Sequence, residues 1–311
     1  MPVAVRAIGA AAQVRSFASL FCDGAAQGTR AARRSGEDMR VIDAHQHFWS
    51  LSTPGHEWPG PSLPCIYRDF GPTDLQVEVG DVALAATVLV QSQPTDVDTD
   101  WMLDMARDSA LVQAVVGWVD FADRCAPERI VALAREPKLR GLRPMLQSIE
   151  DSDWLLRDEL RPALEAMQAA GLCLDALIQP RHLRMLAQFA ARWPDLAIVI
   201  DHAAKPYAAA GLLYPWAEEI AALADLGLHC KLSGLRTEQA PAQSADALQP
   251  YVDCLVARFD ARLMWGSDWP VIRLAGDDWR RWHADAAQLA GAAGADMDSL
   301  FYGAAARFYG L

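Results

Sequence analysis

From residue 39 to its C-terminus the chain alternates short, β-rich apolar runs with amphipathic helical stretches, and it does so eight times. Such alternation calls for parallel strands joined by crossover helices, because each strand must be covered on both faces. The apolar runs predict strands at 41–46, 84–91, 112–119, 139–146, 172–178, 197–202, 228–233 and 263–267. Helical spacing of apolar residues predicts helices at 98–110, 127–135, 153–170, 181–193, 214–226 and 245–259, with two more at 279–290 and 297–309 after the last strand. Gly171 and Gly227 stand where a helix gives way to a strand, and supply the left-handed turn that closes it. Pro162 is expected in the early turns of its helix, where a missing N–H matters least. Eight βα repeats in roughly 270 residues fit an α/β fold of one domain, the (β/α)8 TIM barrel. An open doubly wound sheet is the alternative, but no Gly-x-Gly-x-x-Gly follows the first strand.

Two segments stand apart from this rhythm. Residues 49–80 carry Pro54, Gly55, Pro59, Gly60, Pro61, Pro64 and Pro72 among aromatics. They predict a long loop over the barrel mouth, as long structured loops in compact domains tend to bind or cover ligands. Residues 1–38 are rich in Ala, Arg, Ser and Gly and carry a net charge of +2, against −14 for the rest. They read as a disordered extension or an upstream start, with a targeting segment as the alternative. The working domain is then 39–311, and removal of 1–38 is expected to leave activity unchanged.

The net charge of −12 argues against nucleic acid as a partner, since phosphate binding needs clustered Lys and Arg. No run reaches the roughly 18 apolar residues of a membrane span. The six cysteines are scattered without C-x-x-C spacing, which suits a reducing, cytoplasmic setting better than a disulfide framework. The sequence assigns no oligomeric state.

Side chains at the carboxyl ends of barrel strands face the active site. Those ends hold His45 and His47, Gln91, Asp120, Arg143, Gln179, His202, and Asp268 with Trp269. Residues i and i+2 of a strand share a face, so both imidazoles of the His-x-His pair reach one space. Two imidazoles so placed suit a divalent metal or a polarised carbonyl oxygen. A single strand-end histidine is more often structural. Two of them, joined by His202 and Asp268 from other strands, point to a site.

The motifs VIDAHQHFW, GLRPMLQ, VIDHAAKP and MWGSDWP, in that order between residues 41 and 270, resemble the amidohydrolase superfamily. The resemblance is to its amidohydrolase-2 branch of sugar-lactone and pyrone-dicarboxylate lactonases, and it covers the chain from about Met39 to its end. It implies that Asp268 is the aspartate that takes a proton from the attacking water. It implies that His45 and His47 bind metal or, in metal-free members, polarise the substrate. It implies that His202 lies near the scissile carbonyl, and that Arg143 contacts substrate oxygens. Departures from the pattern matter too. Two-metal members use a Lys on the fourth strand and a His on the fifth; this chain has Arg143 and, nearest, Gln179. His182 is expected on a helix surface. One divalent ion, zinc by preference, on His45, His47 and Asp268 (or His202), and no ion at all, both stay open.

The expected reaction is hydrolytic opening of a sugar-derived lactone of the L-fucono- or L-rhamnono-lactone type. Asp268 would act as base, with His45, His47, His202 and Arg143 around the oxyanion. A pyrone dicarboxylate would demand several arginines, and only Arg143 and Arg236 are candidates. A metal-dependent decarboxylase of an aromatic acid and a non-catalytic ligand-binding barrel are the competing readings. Trp49, Trp58, Tyr67 and Trp269 flank the mouth and either stack on a sugar ring or pack the core. Lys205, Ser233 and Arg236 are further candidates near the pocket, and Asp120 either binds hydroxyls or caps a helix. The DSDW run at 151–154 reads as a helix start whose acids suit the dipole.

Overall fold

The structure is a computed structural model that describes residues 40–311. The segment 1–38 lies outside the described residues. Eight parallel strands follow one another round the sheet in sequence order. They are β1 Val41–Gln46, β2 Leu84–Val90, β3 Val112–Gly117, β4 Leu139–Leu142, β5 Cys173–Ala176, β6 Ile198–Ile200, β7 His229–Leu232 and β8 Leu263–Trp265. The sheet closes on itself just beyond β8, where the Asp268 N–H donates to the His45 carbonyl at 2.8 Å and the His47 N–H to the Trp269 carbonyl at 2.8 Å. This is the single-domain (β/α)8 barrel that the alternation required.

The helices are α1 Pro72–Val79, α2 Asp96–Asp108, α3 Ala126–Leu133, α4 Arg161–Ala169, α5 Leu183–Arg192, α6 Trp216–Asp225, α7 Gln249–Phe259, α8 Trp279–Ala292 and α9 Ala304–Tyr309. Three departures from expectation have local causes. Helix α1 occupies the end of the segment expected to be all loop; Pro72 sits in its first turn and the Asp74 carboxylate accepts from the Gly71 N–H at 3.0 Å. The stretch 153–170 is not one helix: Pro162 sets the start of α4, and Trp154–Leu156 and Asp158–Leu160 are single 3-10 turns. Asp151 therefore caps a turn, accepting from the Asp153 N–H at 3.0 Å and pairing with Arg157 at 2.7 Å. Most strands end earlier than the apolar runs do, because the runs continue into the loops that build the mouth.

One apolar layer lies between strands and helices, and holds Val41, Leu89, Leu174, Ile198, Cys230 and Trp265 among many others. A smaller one fills the barrel with Ile42, Ala44, Val88, Val90, Val116, Cys173, Val199 and Met264, joined by Ala304, Ala305 and Tyr309 of α9. Strand residues alternate between these two layers, as the pleat dictates. No helix among the described residues is long and apolar enough to cross a membrane.

Candidate active site

Strand β1 departs from strict alternation where chemistry begins. Asp43 turns outward and accepts from Trp279 Nε1 of α8 at 2.8 Å, while Ile42 and Ala44 face the interior. Between Asp43 and Gln46 the strand carries one more residue than β2 does between Thr87 and Leu89. That bulge turns His45 inward, where an uninterrupted pleat from Ile42 would have turned it out. Gly266 permits the approach: a Cβ there would stand 2.7 Å from the Cβ of His45. His47 follows, its Nδ1 2.8 Å from the Val90 carbonyl. A carbonyl only accepts, so Nδ1 carries a proton, and Nε2 stands 3.3 Å from Asp268 Oδ1.

Asp268 and His202 both sit in the left-handed region, at φ 55° and φ 52°, and Ala203, Ala204 and Lys205 continue it. Left-handed backbone costs non-glycine residues roughly 1–2 kcal/mol each and persists where the surroundings fix it. Around Asp268 the fixing groups are Asp43 and Ser267. Asp43 accepts from the Ser267 N–H at 2.8 Å and its hydroxyl at 2.6 Å, and Ser267 Oγ accepts from the Trp269 N–H at 2.9 Å. Burial pushes the Asp43 carboxyl up to about 6 despite these donors. Around His202, Ser233 Oγ lies 2.9 Å from Nδ1, and Trp216 Nε1 donates to the Ala203 carbonyl at 2.8 Å.

The two strand ends and β1 bring three imidazoles round one carboxylate. Asp268 Oδ1 is 3.3 Å from His47 Nε2, 3.8 Å from His45 Nε2 and 4.0 Å from His202 Nε2. Burial works against ionised Asp268, but His202 together with His47 and His45 outweighs it and holds the carboxyl below the usual range. Burial lowers His202 to about 4, so that imidazole is neutral near pH 7. Burial is also the main reason that His45 lies well below its ordinary value. Arg143, which follows β4, reaches the same space. Its Nη1 lies 3.3 Å from His45 Nε2 and 3.2 Å from Asp201 Oδ2, and Nη2 donates to the Gln91 carbonyl. Two of its nitrogens are thus engaged by protein, and its side chain is almost wholly buried.

Beneath these residues lies a charged layer that the sequence reading missed. Lys231 of β7 is fully buried, with Nζ 2.5 Å from Asp175 Oδ2, 3.0 Å from Asp201 Oδ1 and 3.1 Å from His45 Nδ1. Tyr309 of α9 donates to Asp175 Oδ2 at 2.8 Å. The available signal was a charge inside each of the apolar runs CLDAL, IVIDH and HCKLS, since such residues are seldom fully buried unless paired.

Above the cluster opens a cavity of about 440 Å3, lined by His47, Arg143, His202 and Asp268 at its floor and by Trp58, Gln147 and Lys205 on its walls. Trp49 and Trp269 do not line it. They are 1% and 0% exposed and pack on Phe70, Trp49 also donating through Nε1 to the Arg68 carbonyl. Substrate stacking through either is therefore corrected to core packing. Trp58, 36% exposed, takes the wall position, with its N–H and that of Glu57 donating to Gln93 Oε1. Asp120 accepts from the Ala122 N–H in a turn, Gln91 donates to the Arg143 carbonyl, and Arg236 pairs with Asp277 at 2.7 Å. His182 is buried rather than on a helix surface, its Nδ1 accepting from the Gln179 N–H at 3.0 Å.

The family model for amidohydrolases matches residues 42–311. The chain belongs to the amidohydrolase family. Among relatives of this amidohydrolase, an L-fucono-1,5-lactonase of Burkholderia ambifaria is 50% identical over 78% of this chain and 85% of its own length. An L-fucono-1,5-lactonase of Burkholderia multivorans is 35% identical over 87% of this chain and 96% of its own. A crystal structure of an amidohydrolase from Burkholderia multivorans with bound zinc superposes with a TM-score of 0.81 at 32% identity, covering 87% of this chain and 99% of that one.

Two buried trios in this amidohydrolase have ligand atoms close enough to hold a metal ion, within 4.8 Å of one another: His45, His47 and Asp268, and His45, Asp201 and His202. The first fits a divalent ion chemically. Its His47 donates Nδ1–H to a backbone carbonyl and turns Nε2 toward Asp268, the arrangement of metal-binding histidines.

Proposed function

We propose that this amidohydrolase opens a sugar-derived lactone of the L-fucono-lactone type, with the L-rhamnono-lactone as a close variant. One observation carries the reading: an ionised aspartate ringed by three imidazole Nε2 atoms within 4.0 Å, at the floor of a cavity of about 440 Å3. Cavities of roughly 300–1,000 Å3 suit small molecules. The polar wall of Gln147, Ser148, Thr237 and Lys205 suits the hydroxyls of a sugar acid. The 50% identity to a protein named for this reaction supports the same substrate class.

Ring opening needs a water stripped of a proton, a stabilised oxyanion and a proton for the departing ring oxygen. Asp268 Oδ1, aimed into the cavity, takes the proton of the attacking water. A carboxylate held below its usual range is a weak base, so its first task is to orient that water. His202, neutral, turns Nε2 into the same cavity 4.0 Å from Asp268 Oδ1, within reach of the carbonyl, and is held by Ser233. Arg143 adds fixed positive charge where the oxyanion grows. As the ester C–O bond breaks, the proton on Asp268 passes to the ring oxygen. Trp58 forms one wall against the ring and excludes water.

His45, His47 and Asp268 would hold a divalent ion, zinc by the donor set of two imidazoles and a carboxylate. Such an ion supplies Lewis acidity to carbonyl and water. The scattered thiols Cys65, Cys125, Cys173, Cys230 and Cys254 are free, which supports a reducing cytoplasm as the setting.

A pH-indicator screen against a panel of sugar lactones, with and without chelator, tests the reading. Turnover of L-fucono- or L-rhamnono-lactone is expected. Failure to open any sugar lactone, with zinc supplied, would overturn it.

A further inference from the structure

Arg143, Lys205 and Arg236 are the cations that the sequence places near the mouth, and the structure gives each of them a carboxylate. Arg143 Nη1 stands 3.2 Å from Asp201 Oδ2, and its Nη2 donates to the Gln91 carbonyl. Arg236 Nε lies 2.7 Å from Asp277 Oδ2, and its side chain is outside the residues that line the cavity. Lys205 does line the cavity, and its Nζ lies 3.8 Å from Glu238 Oε1. Glu57 adds a further carboxylate to the lining.

The Lys205–Glu238 pair joins two strand ends whose backbones are both fixed. Glu238 closes the 3-10 turn Arg236–Glu238 after β7, its N–H donating to the Leu235 carbonyl at 3.2 Å. The Thr237 hydroxyl donates to the Gly234 carbonyl at 2.7 Å, and Arg236 ties the turn to Asp277. Lys205 ends the left-handed run after β6, at φ 53°, with its N–H donating to the His202 carbonyl at 2.8 Å. The two side chains are 22% and 27% exposed, so the pair is too open to add much stability. Its consequence is for what can enter.

A substrate carboxylate needs a cation free to meet it, and a site discriminates by what it repels as well as by what it attracts. With Lys205 shared with Glu238 and Glu57 also in the lining, an anionic substituent at this wall meets more negative charge than positive. A hydroxyl meets no such barrier, because an ammonium has three N–H donors and can serve Glu238 and a hydroxyl together. Resting on the reading of this site as a lactone site, we propose that Glu238 is a specificity-determining residue. It occupies the Lys205 ammonium, so that the cavity takes neutral sugar lactones and refuses those that carry a carboxylate. Removing the charge of Glu238 leaves Lys205 as a free cation on the wall and opens the site to sugar diacids.

The test reads binding of ring-opened acids, not turnover. Galactonate and galactarate differ only in that one ends in a hydroxymethyl group and the other in a second carboxylate. Titration calorimetry on full-length protein with zinc supplied is expected to show galactonate bound at least tenfold more tightly by wild type. Glu238→Gln is expected to shift that ratio toward galactarate by at least tenfold. The shift should shrink as salt is raised, since charges are screened over about 10 Å at 0.1 M and about 3 Å at 1 M. Glu238→Gln with Lys205→Met is expected to lose the shift. A ratio in Glu238→Gln within threefold of wild type overturns the proposal, as does a shift that survives in the double variant, or wild type and variant both binding neither acid. The lactone screen separates the two readings. A wild type that opens no lactone but shows these ratios refutes the proposed reaction and leaves Glu238 in this role, whereas lactone turnover with an unchanged ratio refutes the role of Glu238 alone.

Discussion

Gly234→Ala is the sharpest probe of how the mouth is held together. Gly234 follows β7 at φ 64°, directly under the His202 ring. A Cβ built there would lie 2.4 Å from His202 Nδ1, 2.6 Å from Cγ and 2.9 Å from Cβ, whereas ordinary contact begins at 3.4 Å. The imidazole must therefore retreat by about 1 Å, which breaks its 2.9 Å contact with Ser233. A displacement of that size at a reacting group costs about 100-fold in rate. The left-handed backbone adds roughly 1–2 kcal/mol of destabilisation. Gly171→Ala is the control: it has φ 67° and nothing within 4 Å of the added Cβ, so it carries the same backbone strain without the clash. Initial-rate assays on the lactone, with melting temperatures for both variants, are expected to separate the effects. Both should melt a few degrees lower, at about 2–4 °C per kcal/mol for a large domain. Only Gly234→Ala should lose about 100-fold in kcat/KM. If it keeps kcat/KM within threefold of Gly171→Ala, His202 is not held where the mechanism needs it.

Asp268→Asn is expected to lower kcat by about 10²–10⁴, the usual range for removing a positioned base, with an unchanged melting curve; near-normal turnover would remove Asp268 from that role. Trp58→Ala should raise KM with little change in stability, whereas Trp269→Ala should cost about 3–5 kcal/mol of stability, because only the second is sealed in the core; equal effects on KM would refute the division. The contribution of His229 to stability should fall as the medium is acidified. His229, at the start of β7, is lowered to about 4 by burial, with Arg262 and Arg307 adding to the effect, against an ordinary value of 6.5. The unfolded chain therefore binds its proton first, and the stabilisation present above pH 6.5 is lost progressively toward pH 4. His229→Gln should flatten the dependence of melting temperature on pH in that window, and an unchanged slope would refute the assignment.

The order and number of strands were legible because they rest on local pattern. An apolar run eight times bounded by helical periodicity has few ways to fold, and β1 was read to the residue as Val41–Gln46. His45, His47, His202, Arg143 and Asp268 were legible for the same reason: each stands at or just past the end of a strand, and strand ends of one barrel converge. What was not legible depends on contacts between residues far apart in sequence. Trp49 and Trp269 look like mouth aromatics in the chain, and only packing against Phe70 shows them to be core. Helix α1 was hidden by the prolines around it, one of which begins it.

The deepest difference concerns charge. The sequence by itself determined the barrel and the ring of side chains at its mouth, since periodicity and chain order are properties of neighbouring residues. The tertiary structure alone decided that Lys231, Asp175 and Asp201, on three different strands, meet beneath His45. Taken singly, each is a charge in an apolar run and an apparent misfit. Brought together, Lys231 lies 2.5 Å from Asp175 and 3.0 Å from Asp201, and Arg143 lies 3.2 Å from Asp201, so each buried carboxylate faces a cation.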